Sequence, residues 1–137
     1  MWRERNMTNR VAIIASHGGL ETAYKVMNIA MAGIASDAEV QIFFTFDGLD
    51  IIRNDAADRL KPAPGNAGLT EGFKKANVPP ITDMIEMAQE SGVQLIACQM
   101  TMDVMSLTKK DFIDGVDFAG AMTFLDFAYD ANVSLTF

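Results

Sequence analysis

Val11-Ala12-Ile13-Ile14-Ala15-Ser16-His17-Gly18-Gly19 is the stretch from which the fold is read. An unbroken apolar run rich in β-branched residues is what a strand buried on both faces requires, since alternate side chains point to opposite sides and neither side meets water. The run stops at Ser16-His17-Gly18-Gly19, as a tight turn into a helix would. Leu20, Ala23, Tyr24, Met27, Met31 and Ile34 then recur at spacings of three and four, which places them on one helical face. Glu21 falls in the first turn, where the helix dipole favours a negative charge.

The same alternation continues outward. Val40-Gln41-Ile42-Phe43-Phe44-Thr45-Phe46 reads as a second buried strand ending at Asp47-Gly48, where a short helix through Ile51 and Ile52 begins. Residues 55–77 lose periodicity in Pro, Gly, Asn and Lys, including Lys61-Pro62-Ala63-Pro64-Gly65-Asn66, and are expected to form a mobile segment or a lid with a helical turn over 70–76. Pro79-Pro80 opens a helix whose stripe is Ile81, Met84, Ile85 and Ala88 and whose end is Ser91-Gly92. Val93-Gln94-Leu95-Ile96-Ala97 is a further strand, delivering Cys98 at its carboxyl end. After it are expected a helix over 102–107, a capping arrangement from Thr108 to Asp111, a turn at Gly115, a helix over 117–130 carrying Gly120, Phe124, Phe127 and Ala128 along one side, and a last strand over 133–137. Strands alternating with helices make a parallel sheet covered on both faces, a three-layer α/β/α sandwich of the doubly wound kind.

Composition narrows the class. With 137 residues, half of them hydrophobic, the chain has room for a single domain over residues 10–137. Residues 1–9 read as a disordered extension, with Met7 an alternative start to Met1. A formal charge of −7 argues against binding to phosphate backbones, so nucleic acid is not expected as a partner. No apolar run approaches the roughly 20 residues of a membrane span, and the first residues lack the apolar core of a secretory signal, so a cytoplasmic location is expected. The single cysteine cannot close an intrachain disulfide.

In open parallel sheets ligands bind beyond the carboxyl ends of the strands. Ser16-His17-Gly18-Gly19, Thr45 with Asp47-Gly48, and Cys98-Gln99 all fall there. A cysteine just ahead of a helix can have its thiolate stabilised by unpaired backbone N–H groups, whereas Asp103, if close, opposes a second negative charge. Free cysteine is also among the most buried residue types, so Cys98 is either packing or the reacting atom. Cys98 and His17 both terminate strands and so can meet across the sheet end. Gly18-Gly19 matches neither the dinucleotide nor the P-loop spacing. Ten methionines, with Met100, Met102 and Met105 close to Cys98, raise a Cu(I) reading. The helical spacing of Met27, Met31, Met84, Met87, Met105 and Met122 favours core packing instead. With one Cys and one His, zinc is not expected, and neither is any other metal or cofactor.

Glu39-Val40-Gln41-Ile42-Phe43-Phe44-Thr45-Phe46-Asp47-Gly48-Leu49, the segment from Gly92 through Cys98-Gln99-Met100-Thr101-Met102-Asp103 to Met105, and Ile113-Asp114-Gly115-Val116-Asp117-Phe118-Ala119-Gly120-Ala121 resemble the DsrE/DsrF-like superfamily, within it the DsrE-type subgroup often labelled peroxiredoxin-like. The resemblance runs from Arg10 to Phe137 and is most specific around the cysteine. It implies a mainly parallel five-stranded sheet, a homo-oligomer (trimer or hexamer), and intracellular sulfur trafficking in which Cys98 accepts sulfane sulfur as a persulfide and passes it to a partner thiol. TusA-like or rhodanese-like proteins are the partners it implies. Peroxide reduction finds no resolving cysteine in this chain. Persulfide exchange needs one activated cysteine and a partner's, with no acid–base triad. In that role Gln99 and nearby backbone donors would hold the terminal sulfur. Met100 and Met102 would limit water and line the partner contact, and His17, Asp47 and residues 55–79 would shape access. The alternative is a non-catalytic oligomeric module that binds a small ligand in the same cleft, with Cys98 as packing.

Overall fold

Arg10–Ala15 form β1, as the apolar run requires, and the chain then enters α1 (Leu20–Ala35) directly after Gly19, whose φ of 91° is one that residues with a Cβ rarely adopt. The computed structural model describes residues 8–137; residues 1–7, most of the expected N-terminal extension, lie outside it. Asn9 already belongs to the sheet margin, its carbonyl accepting the Glu39 N–H at 2.8 Å. The remaining elements are β2 (Glu39–Phe44), α2 (Ala56–Arg59), α3 (Leu69–Lys75), α4 (Ile81–Glu90), β3 (Gln94–Cys98), α5 (Gln99–Val104), β4 (Asp117–Ala119), α6 (Ala121–Ala128) and β5 (Val133–Thr136). A 3₁₀ segment, Phe46–Ile52, follows β2.

The five strands pair in the order β4-β3-β2-β1-β5, all parallel. Ile13 lies opposite Ile42 and Leu135, and Ile42 opposite Leu95. From β1 to β4 the chain advances in one direction across the sheet; from β4 it returns past the other strands to β5 at the opposite edge. Right-handed crossovers in opposite directions must run over opposite faces. α6, the return helix, is accordingly the helix that packs with Phe124 on Ala12, Phe43, Ile96 and Cys98. On the other face Val11, Ile13, Ile42, Phe44, Leu95 and Ala97 join Ala23, Val26, Met27 and Ala30 of α1 and Ile81, Ile85 and Ala88 of α4. Ile13, Ile42 and Leu95 are each at most 1% exposed, and burying a side chain of this size contributes about 1.5–3 kcal/mol.

Three expectations are corrected. Asp117-Phe118-Ala119 is not the first turn of a helix but the edge strand β4, with Ala119 opposite Cys98, and the helix starts only at Ala121. The helix after the cysteine begins at Gln99 instead of near 102, so no loop separates it from β3. Of the methionines assigned to the core by spacing, Met27 is fully buried and Met31 and Met84 half-buried, whereas Met87, Met105 and Met122 are exposed, Met122 by 82%. The Thr108 to Asp111 capping box and the positive φ of Gly115 are present as expected. No helix among the described residues is long and apolar enough to cross a membrane.

Candidate functional site

Cys98 is the last residue of β3 and the residue on which α5 starts, with extended backbone (φ −67°, ψ 114°). Its side chain is 4% exposed, set among Ile96, Phe43 and Phe124, with Phe124 stacked on Phe43 at 5.2 Å between ring centroids. The covering residues Phe43 and Phe124 are signalled in the sequence only as core positions of separate elements.

Several exposed side chains on α5 and just after β2 are apolar. Met100 is 55% and Val104 66% exposed on α5, and Phe46 stands 49% exposed at the end of β2. Phe46 has a φ of 48°, left-handed backbone that a bulky residue rarely adopts. A hydroxyl accounts for its being held there. Thr101, wholly buried, has its Oγ1 3.0 Å from Thr45 Oγ1 and accepts the Phe46 N–H at 3.4 Å. α5 is thereby pinned to the end of β2 by the third residue after the cysteine. Thr101 was not among the expected site residues, and its only sequence signal is a polar residue at a position that the helix turns inward.

The expected site residues separate into two groups. Ser16, His17, Gly18, Gly19, Asp47 and Gly48 form one knot of loops. A Cβ on Gly48 would sit 1.9 Å from the Ala15 carbonyl oxygen, and one on Gly18 would sit 2.9 Å from that of Asp47. Ser16 donates through both N–H and Oγ to the Phe137 carbonyl, at 2.7 and 2.9 Å. Exposed His17 places Nδ1 3.1 Å from Ser16 Oγ. β2 lies between β1, which leads into His17, and β3, which ends in Cys98, so the two strands' backbones are about two strand spacings, roughly 10 Å, apart. The structure shows no His17–Cys98 hydrogen bond. Beside the knot, burial pushes the Asp50 carboxyl above its ordinary value, against Arg59, 3.6 Å away, and Arg53, which lower it.

Gln99, Met100, Thr45 and Asp103 form the second group, around α5. The Gln99 side chain donates to Asp103 Oδ1 at 3.0 Å, which engages its amide. Met102, 2% exposed, faces the core beneath α1 and α4, on the side of the sheet opposite Cys98. It therefore lines no partner contact, and Cys98 and Met102 do not converge as a soft-ligand set. Residues 55–79 lie against α1: the Glu21 carboxylate takes the Asn66 side chain and the Ala63 N–H, each at 2.8 Å, and these bonds hold it below its ordinary value.

A parallel sheet in this order, with a cysteine ending a central strand at the start of a helix, can be set beside known proteins. The sequence profile of the DsrE/DsrF/DrsH-like family matches residues 7–71 and 64–136. The chain belongs to this family. It is 33% identical over 153 residues to the sulfur carrier protein DsrE2 of Allochromatium vinosum, covering 92% of this chain and 96% of that one. It is equally identical, over 154 residues, to the uncharacterized protein YrkE of Bacillus subtilis, covering 93% and 96%. Among solved structures, the ychN protein of E. coli superposes with a TM-score of 0.67 at 20% identity, covering 96% of this chain and all of that one. Protein MTH1491 of Methanobacterium thermoautotrophicum does so with 0.68 at 12% identity, covering 93% and 98%. Identities this low speak to the fold alone. The family's fold is the five-stranded parallel α/β/α sandwich described above.

Proposed function

We propose that this family member is a sulfur carrier that holds sulfane sulfur as a persulfide on Cys98. The observation that carries the reading is the position of its one cysteine, at the carboxyl end of a central strand and directly on the start of α5, in a chain similar over nearly its whole length to a protein named a sulfur carrier. The Cys98 thiolate attacks the terminal sulfur of a donor persulfide. A new S–S bond forms on Cys98, the donor's S–S bond breaks, and the donor leaves as a thiolate, with no net oxidation. The same exchange with an acceptor thiol discharges the carrier. Because Cys98 is 4% exposed beneath Phe43 and Phe124, loading requires local movement around it. α5, which starts on Cys98 and is pinned to the end of β2 through Thr101, is the proposed moving element, since its displacement shifts the cysteine itself out from under that cover. The exposed apolar residues Phe46, Met100 and Val104 would then meet the partner, for which small TusA-like or rhodanese-like sulfur-transfer proteins are the proposed class.

The chain is also proposed to work as a homo-oligomer, a trimer or hexamer. Met122, Leu125 and Tyr129 on and just after α6 are exposed by 82, 42 and 77%. So much apolar surface on α6, the one described helix on its face of the sheet, is a signature of association. Light scattering on the intact protein reports the assembly, and a monomer would remove this part of the proposal.

The burial of Cys98 favours the second reading, an oligomeric binding module in which the thiol only packs. Intact-mass measurement after incubation with polysulfide separates the two. A carrier gains sulfur that Cys98→Ser does not, and a packing cysteine gains none.

A further inference from the structure

We infer that a second site, separate from Cys98, binds a small molecule with an apolar body and a single anionic head. Between α1, α2, α3 and α4 lies a half-open pocket of about 360 Å³, within the range of small-ligand sites. Its apolar wall includes Leu20, Leu60, Phe73 and Ile81. The cavity belongs to the α1/α4 side of the sheet, whereas Cys98 packs on the opposite side beneath α6.

Charge selects the occupant. The whole chain carries −7, yet Lys61 and Lys74 line this cavity and no Asp or Glu does. Among the described residues neither lysine has an ion-pair partner within 4.0 Å. The nearby Glu21 carboxylate is already engaged by Ala63 and Asn66. An anionic head therefore meets two ammonium groups that no described carboxylate pairs with, and a cationic one meets repulsion from both.

The cover is built to move. α3 contributes no buried residue and is held mainly by the Phe73 ring, 4.2 Å from that of Tyr24, whose hydroxyl donates to the Pro79 carbonyl at 2.8 Å. Gly65, Gly68 and Gly72, before and within α3, have no atom within 4 Å of where a Cβ would stand. Few contacts at the cover and a preformed wall beneath suit entry of a ligand under α3.

The test titrates the full chain with octanoate by calorimetry, with octanol and octyltrimethylammonium as comparators of equal apolar length. Octanoate is expected to bind saturably and more tightly than either comparator. Replacing both lysines, Lys61→Ala with Lys74→Ala, should weaken octanoate about five- to tenfold while leaving octanol unchanged, as two partly solvated charge contacts predict. Phe73→Ala, on the exposed side of the fold, should weaken both. Absence of saturable octanoate binding, equal or tighter binding of octyltrimethylammonium, or an unchanged octanoate affinity in the double variant overturns the proposal.

Discussion

Thr101→Val asks whether α5 is the gate to Cys98. Valine keeps the shape of threonine but removes the oxygen that meets Thr45 Oγ1 at 3.0 Å and accepts the Phe46 N–H at 3.4 Å. A buried group left without its partner costs about 1–3 kcal/mol. Thr45 is only partly buried and the Phe46 bond is long, so the lower half of that range applies, about 1.5 kcal/mol. If the closed position of α5 loses that much relative to the lifted one, the population with an exposed thiol rises about tenfold. Native-state reaction with an aromatic disulfide reagent, followed as absorbance of the released thiolate, should accelerate by that factor. Ile85→Val provides the comparison: it trims the core under α4, on the side of the sheet opposite Cys98, without touching the Thr45–Thr101 contact, for a similar global cost of about 0.5–1.5 kcal/mol. Local opening leaves its thiol rate near wild type. Equal acceleration in both variants would mean that Cys98 reacts only through global unfolding, and the gating argument would be refuted; so would a Thr101→Val rate that does not change while its urea midpoint falls.

Gly48→Ala should destabilise by about 3 kcal/mol or more, since the new methyl would collide with the Ala15 backbone, which cannot swing aside. Gly68→Ala, with open space and a φ of −77°, should be neutral or stabilising by about 0.4–1 kcal/mol, and urea denaturation of the pair checks both. Asp50 titrates higher in the fold than in the unfolded chain, so its contribution to stability is full below the unfolded value and is lost as pH rises through the folded value. Asp50→Asn should therefore gain on wild type at neutral pH, with the gap closing as pH falls through the carboxylate range; a gap that widens in acid would contradict the burial argument.

β1, β2 and β3 were legible because a strand covered on both faces must be apolar throughout, and Val11 to Ala15, Ile42 to Phe44 and Leu95 to Ala97 are. β4 was not, because three residues at a sheet edge are too few to show a period, and Phe118 and Ala119 lead straight into the helical spacing of Phe124, Phe127 and Ala128. The cysteine's place at a strand end was readable, but its burial was not. The cover comes from Phe43 and Phe124, far apart in sequence, and the α5 anchor from a hydroxyl pair 56 residues apart. Spacing likewise could not tell Met27, on the buried side of α1, from Met122, on the outward side of α6.

The pairing of β5 with β1 sets a timetable for the nascent chain. β1 precedes the other four strands of this sheet in the chain, yet one of its two edges is satisfied only by residues 133–136, with Phe137 closing onto Ser16. Until those residues are available, a strand as apolar as Val11 to Ala15 has an open hydrogen-bonding edge, the kind of template on which other chains pair. Residues 133–137 thus cover the open edge of β1, and a chain lacking them would be most at risk of aggregating while it folds.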